Sequence, residues 1–261
     1  MGKNLVEYKS YANEVSVIVT AMTDGEKPFL FEALESVLQD PIINKVVLCI
    51  DKDNDWIDII LGSFLNDKRL DIYRIPKMRI ACVRNLAIDR IETPWVAYLD
   101  GDDVWCKGKT SIQLNYAIQK GADFVATGNY IIDENSKLCA VSLSFFIAMP
   151  SSWLVRTELM KKYKFNEQLI TGSDGEWWAK TNSFITKVKC PKLLMRYRVR
   201  SESVSASSFS KIRKHRTVDL SRIPVLGIGV LVVTYLIWIA TRYNNYRWKP
   251  SWSRPEAFKN I

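Results

Sequence analysis

Twice in its N-terminal half this chain runs from a short stretch of β-forming apolar residues straight into a cluster of aspartates. Residues 45–50 (KVVLCI) end at Asp51-Lys52-Asp53-Asn54-Asp55, and residues 95–99 (WVAYL) end at Asp100-Gly101-Asp102-Asp103. Runs of this length and composition read as buried strands. Like charges crowded at the end of a core strand raise one another's pKa, and burial penalises each of them, so such a cluster calls for a neutralising cation. Oxygen-only ligands suit Mg2+ or Mn2+, ions that keep coordination positions open for substrate phosphates. Gly101 permits a tight turn, with φ positive if needed, that lets Asp100 and Asp102 face the same way. The competing reading is an acidic surface turn, because Asp-Gly is itself a turn signal.

The surrounding pattern bears on that choice. Strand character at 15–20, 45–50, 70–74 and 95–99 alternates with helical spacing over 28–38, 57–65, 80–90 and 110–119, and a further strand is expected at 123–126. Alternation of this kind predicts an α/β fold around a mostly parallel sheet, with the ligand crevice at the C-terminal ends of its strands. Asp51 and residues 100–103 both fall at such ends, so the two acidic clusters are expected to face one crevice. Beyond them the sequence suggests a hairpin-like turn over 129–137, a helix over 152–162, and a helix entered through 171–178. Asp174 stands close to the start of that last helix, where an acidic residue gains from the helix dipole, so it reads either as a plain N-cap or as a functional carboxylate.

Charge and cysteine usage narrow the function classes. The net charge of +9 is uneven: residues 211–261 hold ten lysines and arginines against Asp219 and Glu256, leaving the first 210 residues nearly neutral. A neutral body argues against a nucleic-acid footprint. Cys49, Cys82, Cys106, Cys139 and Cys190 are odd in number and widely spaced, which fits reduced thiols. The one histidine, His215, lies outside the apparent domain, so zinc of the Cys/His type and histidine-based nucleophilic catalysis are not expected in the body. Trp153, Trp177 and Trp178 could stack on a sugar, or pack in the core.

Residues 223–241 (IPVLGIGVLVVTYLIWIAT) carry no charge and are bounded by Arg222 and Arg242. At 1.5 Å per residue they nearly match the roughly 30 Å hydrocarbon thickness, so a C-terminal transmembrane helix is expected. Basic residues precede it, and Tyr243, Tyr246, Trp248 and Trp252 follow it. The N-terminus has no apolar core of signal-peptide length, which puts the large domain on the cytoplasmic side. The expected organisation is a folded domain over 1–210, a basic linker over 211–222, the membrane segment over 223–241, and a basic, aromatic tail over 242–261.

Over roughly residues 14–205 the chain resembles the family-two inverting glycosyltransferases, which have the Rossmann-like, nucleotide-sugar-binding GT-A fold. ACVRNLAIDRIETPWVAYLDGDDVW is similar to the family's "ARN-x-G…LD-x-DD-x-W" block. VSVIVTAMTDGEKPFLFEALESVLQDP resembles its opening strand, loop and helix. TELMKKYKFNEQLITGSDGEWWAK resembles the acceptor-side segment, and YRVRSESVS the closing "YR-x-H-x-x-S-x-S". The resemblance implies a UDP-sugar donor, a divalent metal (Mn2+ or Mg2+), and a glycan or lipid-linked glycan acceptor at a membrane. A polyprenyl phosphate as acceptor, or a non-catalytic module that keeps the fold, are the alternatives. It further implies that Thr20 and Asp51 hold the base, that Asp53 and Arg84 border base, ribose or phosphates, and that Asp100 lies near the ribose. Asp102 would sit on the metal with Asp100 and Asp103 adjacent, and Asp174, or else Glu176, would be the general base. The chain departs from the family where Ser173 replaces a glutamate and where Arg200 replaces the histidine that often completes the metal shell; Arg200 could instead bind the donor's diphosphate.

Overall fold

A computed structural model describes residues 14–142 and 149–200, together with the two-residue strand Arg247–Trp248. Among the described residues no helix is long and apolar enough to cross a membrane. The apolar stretch 223–241 lies outside them, as do the linker before it and most of the tail after it.

Four parallel strands form the first half of the sheet: β1 (Val15–Ala21), β2 (Ile43–Asp51), β3 (Leu70–Ile75) and β4 (Trp95–Asp100), in the order β3-β2-β1-β4. The helices α1 (Leu30–Leu38), α2 (Ile57–Leu61) and α3 (Ile80–Ile88) connect them. Every residue of β1 is buried, and alternate side chains feed two cores. Val15, Val17 and Val19 pack with Leu30, Leu34 and Val37 of α1 on one face; Ile18 packs with Ala87, Val96 and Tyr98 on the other. A strand covered on both faces reads as a continuous apolar run, which is why VSVIVTA lacks the usual polar alternation.

The second half is mixed. It contains β5 (Val104–Trp105), α4 (Lys109–Lys120), β6 (Phe124–Ile132), β7 (Leu138–Ser142), β8 (Leu154–Arg156), α5 (Thr157–Lys162), α6 (Ser173–Thr181), β9 (Lys187–Arg198) and β10 (Arg247–Trp248). The strand β8 lies antiparallel between β4 and β6, β9 runs parallel to β6 and antiparallel to β5, and β7 and β10 extend the far edge. The α/β expectation and the parallel N-terminal half hold, with four corrections of detail. The helix expected over 57–65 breaks at Gly62, whose φ of 46° ends α2 and turns the chain into a 3-10 segment. The helix expected over 152–162 begins only at Thr157, because Leu154 is captured as a strand residue by Ala97 and Val125 on its two sides. The turn expected over 129–137 tightens to 133–137, with Asp133 Oδ1 accepting from the amides of Asn135 and Lys137. The twelve-residue β9 is the largest element the periodicity did not show. Pro191 sits where its register against β6 slips, between Thr127 and Gly128, so its apolar alternation is interrupted.

Trp153 and Trp177 are fully buried in the second core, against Phe124 and Phe165, which selects packing over sugar stacking for these two. Trp178 is partly exposed. Cys49 and Cys190 are buried free thiols, and Cys82 and Cys106 are free and half-buried.

Candidate functional site

The strand register brings the first cluster of candidate residues together. Thr20 of β1 pairs with Asp100 of β4, and Ala21 pairs with Ile50, the residue before Asp51. Asp51, Thr20 and Asp100 therefore end three adjacent parallel strands on the same edge of the sheet, where the crevice of an open α/β fold forms. Thr20 Oγ1 donates to Asp100 Oδ1 at 3.1 Å, and Arg84 Nη2, from the buried face of α3, donates to the same oxygen at 2.6 Å. The Asp100 amide donates to Ser151 Oγ at 3.1 Å. Arg84 Nε is buried without a hydrogen-bond partner among the described residues, and the guanidinium lies over the Phe165 ring, 6.0 Å from its centroid.

Asp51 is nearly buried, and its Oδ1 accepts from the Asp53 amide at 3.3 Å, an Asx turn that leaves the Asp53 side chain in solvent. Asn54 Nδ2 reaches back to the carbonyl of Ala21 at 3.4 Å and holds this turn against the end of β1.

Gly101 does not have a positive φ, so the left-handed turn allowed for above is not formed. What the position requires is space: a Cβ there would lie 3.0 Å from both the Ala21 Cβ and the Thr20 carbonyl oxygen. The bare backbone lets the Gly101 amide donate to that carbonyl at 2.8 Å, pinning the acidic turn to β1.

Asp102 and Asp103 then diverge. Asp102 faces a second group: Arg200 Nε donates to its Oδ2 at 2.6 Å, and Arg200 Nη2 stands 3.4 Å from Glu26 Oε1. Burial pushes the Asp102 carboxyl up to about 6; Arg200 pulls the other way, while Asp100 and Glu26 add to the rise. Asp103 is completely buried, its Oδ1 accepting from the Arg198 amide at 2.9 Å and its Oδ2 without a hydrogen-bond partner among the described residues. Burial raises its carboxyl well above the usual range, followed by the charges of Asp102 and Asp100. It secures the end of β9 to the turn and presents no surface to a ligand.

Several residues that shape the site carry no motif of their own. Glu26 closes a capping box with Thr23 at the head of the loop after β1. Arg198, fully buried, donates from Nε to the Asp102 carbonyl at 2.8 Å and from Nη2 to Glu32 Oε2 at 2.6 Å. The alternation in Arg196-Tyr197-Arg198-Val199-Arg200 was the available signal, since period two sends Arg198 and Arg200 to one side. Asn85 is engaged twice with the segment leading to α6: Nδ2 donates to the Phe165 carbonyl and Oδ1 accepts from the Phe165 amide, both at 2.9 Å.

Asp174 lies in the first turn of α6, but the N-cap is Gly172 and Asp174 makes no capping bond, so the plain N-cap reading fails. Among the described residues no side chain is bonded to its carboxylate. Glu176, two positions on, has one carboxylate oxygen buried and without a hydrogen-bond partner among the described residues. Neither is bonded to the Asp100 or Asp102 groups.

Among the described residues no three His, Cys, Asp or Glu side chains form a cluster able to hold a metal ion alone. The donor chemistry nevertheless suits a hard cation shared with substrate. Glu26, Asp100 and Asp102 set three carboxylates against Arg84 and Arg200, an excess of negative charge offered entirely through oxygen.

Comparison with known proteins bears on the family and the fold. Escherichia coli WfaP, a UDP-Glc:α-D-GlcNAc-diphosphoundecaprenol β-1,3-glucosyltransferase, is 27% identical over 219 residues, covering 78% of this chain and 84% of WfaP. The S. aureus TarS complex with UDP-GlcNAc superposes with a TM-score of 0.59 at 19% identity, over 76% of this chain and 64% of that one. The Pyrobaculum calidifontis mannosyltransferase PcManGT, in complex with GDP-Man and Mn2+, gives 0.60 at 13% identity, over 77% and 61%. Against three Rickettsia glycosyltransferases the chain spans only 29%, 22% and 30% of their length. These likenesses show the GT-A fold, and a family model described as Glycosyl transferase family 2 matches residues 16–184; the chain belongs to that family.

Proposed function

We propose that this chain is a metal-assisted, inverting transferase that moves a sugar from a UDP-sugar to a lipid-linked glycan at the cytoplasmic face of a membrane. The observation that carries this reading is the alignment of Asp51, Thr20 and Asp100 at the ends of adjacent parallel strands, with Arg84 bonded to Asp100. A nucleoside diphosphate laid along that edge would meet Asp51 and Thr20 at its base, Asp53 and Asp100 near its ribose, and Arg84 and Arg200 near its phosphates. Asp102, with Asp100, would hold a divalent cation, which would supply charge neutralisation for the leaving diphosphate.

The chain's own share of the chemistry is positioning and one proton transfer. Asp174, without a bonded side chain among the described residues, takes the proton from the acceptor hydroxyl as that oxygen attacks the anomeric carbon from the face opposite the diphosphate. In-line attack from that side inverts the anomeric centre. Glu176 is the second candidate, and its half-buried carboxylate favours Asp174. The named activity of WfaP supports UDP-glucose as donor and a diphosphate-linked prenyl glycan as acceptor class. The uncharged stretch 223–241 and its basic flanks support a membrane-bound acceptor.

The test uses the full chain with UDP-glucose and with UDP-GlcNAc, a GlcNAc-diphosphoprenol acceptor, and NMR of the product's anomeric configuration. Inverted product is expected, with Asp174→Asn retaining UDP binding while transfer drops by about 10²–10⁴-fold. Retained configuration, or an Asp174→Asn variant as active as the parent, would overturn the reading.

A further inference from the structure

Arg200 stands where this fold would otherwise leave Asp102 open. Its Nε donates to Asp102 Oδ2 at 2.6 Å, its Nη2 lies 3.4 Å from Glu26 Oε1, and all three side chains are largely withdrawn from water, at 13%, 13% and 16% exposure. The guanidinium also abuts Gly25 with its Nη1, where a Cβ would collide with it. Its placement is fixed from behind, because two residues earlier Arg198 is bonded through its amide to Asp103 and through Nε to the Asp102 carbonyl.

This arrangement sets up a competition. A divalent cation on Asp102 would sit beside the guanidinium, and like charges that close repel even when partly screened. Asp102 and Glu26 together carry two negative charges, one of which Arg200 already neutralises. A nucleoside diphosphate changes the balance, since it brings two or more negative charges and oxygens that accept an arginine fork in parallel pairs.

Resting on the transferase reading, we propose that Arg200 is a placeholder for the metal. It neutralises Asp102 in the empty enzyme and passes its guanidinium to the donor's diphosphate on binding, so that Asp102 becomes available to a divalent cation only when nucleotide is present. Metal and nucleotide then bind with a positive coupling that runs through this one side chain, and the coupling is reciprocal. The free enzyme is a poor metal binder by construction. Gly25 belongs to the same device, because only a residue without a side chain leaves room for Arg200 Nη1 while Nε is bonded to Asp102.

The experiment titrates the full chain with Mn2+, following free Mn2+ by electron paramagnetic resonance, with and without UDP, and titrates UDP calorimetrically in chelator. In Arg200→Ala, Mn2+ alone is expected to bind about tenfold tighter than in the parent and UDP alone about tenfold weaker, with the coupling between them reduced accordingly. Gly25→Ala, which displaces the guanidinium without removing it, should also tighten binding of Mn2+ alone and serves if Arg200→Ala does not fold. Unchanged or weaker Mn2+ binding in both variants would overturn the proposal. A parent protein that binds neither UDP nor any other nucleoside diphosphate would instead defeat the transferase reading itself, whereas UDP binding with a coupling indifferent to Arg200 defeats only this inference.

Discussion

Arg84 Nη2 and Asp100 Oδ1 meet at 2.6 Å across the joint between α3 and the end of β4, the arginine side chain 6% exposed and the aspartate 38%. The pair is lopsided: the cation is the buried member, so removing the carboxylate would strand a charge in the interior. Asp100→Ala is therefore expected to destabilise the fold by more than Arg84→Met, in the range of about 3–5 kcal/mol for an orphaned buried charge. Urea midpoints of the two variants and of the double variant check this; a double variant no more stable than Asp100→Ala would show that the stranded cation is not the cause.

Gly101→Ala places a methyl 3.0 Å from Ala21 and from the Thr20 carbonyl. Overpacking of this kind costs about 1–3 kcal/mol, and here it acts by lifting the acidic turn off β1. UDP affinity should fall together with thermal stability. Gly108→Ala, on the same connection but 4.0 Å from the nearest side-chain atom, serves as a control for the turn; its φ of 70° costs stability through backbone strain alone and should leave UDP affinity intact.

Asn85 grips both polar groups of the Phe165 backbone and also reaches Glu167 Oε1 at 2.9 Å, while Arg79 holds the carbonyls of Glu167 and Gln168. These bonds fix the approach to α6 and hence to Asp174. Asn85→Ala should lower kcat for transfer by about tenfold or more, leaving the KM for donor near that of the parent. A rise in donor KM at constant kcat would show that Asn85 serves the nucleotide side instead.

Two lysines of β9 give the fold a pH dependence. Burial pushes Lys187 down to about 8 and Lys189 to about 7, beside the Trp178 ring. In the unfolded chain both titrate near 10.4. Between about pH 7 and 10.4 the unfolded state thus holds more protons, so this contribution makes stability rise with pH; below about 7 both states are charged and the folded chain bears the full penalty. The buried Cys49 thiol, pushed up to about 12, works in the opposite sense above about 8.5, where the unfolded thiol ionises first. Lys189→Met should therefore be more stable than the parent at pH 7, with the difference shrinking toward pH 9 in denaturant titrations at both values.

The parallel half of the fold and its acidic strand ends were readable in the chain because one physical device generates both. A strand buried on two faces must be uniformly apolar, and its exposed C-terminal end is then where polarity changes abruptly, as at Leu99 and Asp100. The second half was not readable to the same depth. Leu154 is strand because Ala97 and Val125 flank it, a condition invisible to a window containing Thr157, Glu158, Leu159 and Met160. Pro191 masked β9 in the same way, since its bulge is tolerated only because β6 shifts register opposite it. In the site, charge type was legible but partnership was not: the sequence shows three aspartates in a row of four, and only the fold sends Asp100 to Arg84, Asp102 to Arg200 and Asp103 inward to the Arg198 amide.

The pairing of β9 with the turn after β4 also has a consequence in time. The partners of Asp102 and Asp103 lie 98 and 95 residues downstream, a stretch that a ribosome takes on the order of ten seconds to add. During that interval the strands of the N-terminal half can assemble, and Arg84 can reach Asp100, while Asp102 waits for the Arg200 guanidinium and Asp103 for the Arg198 amide. The nascent chain thus has a donor-side floor before it has a closed site, and β9 with the residues just after it is the segment that commits it.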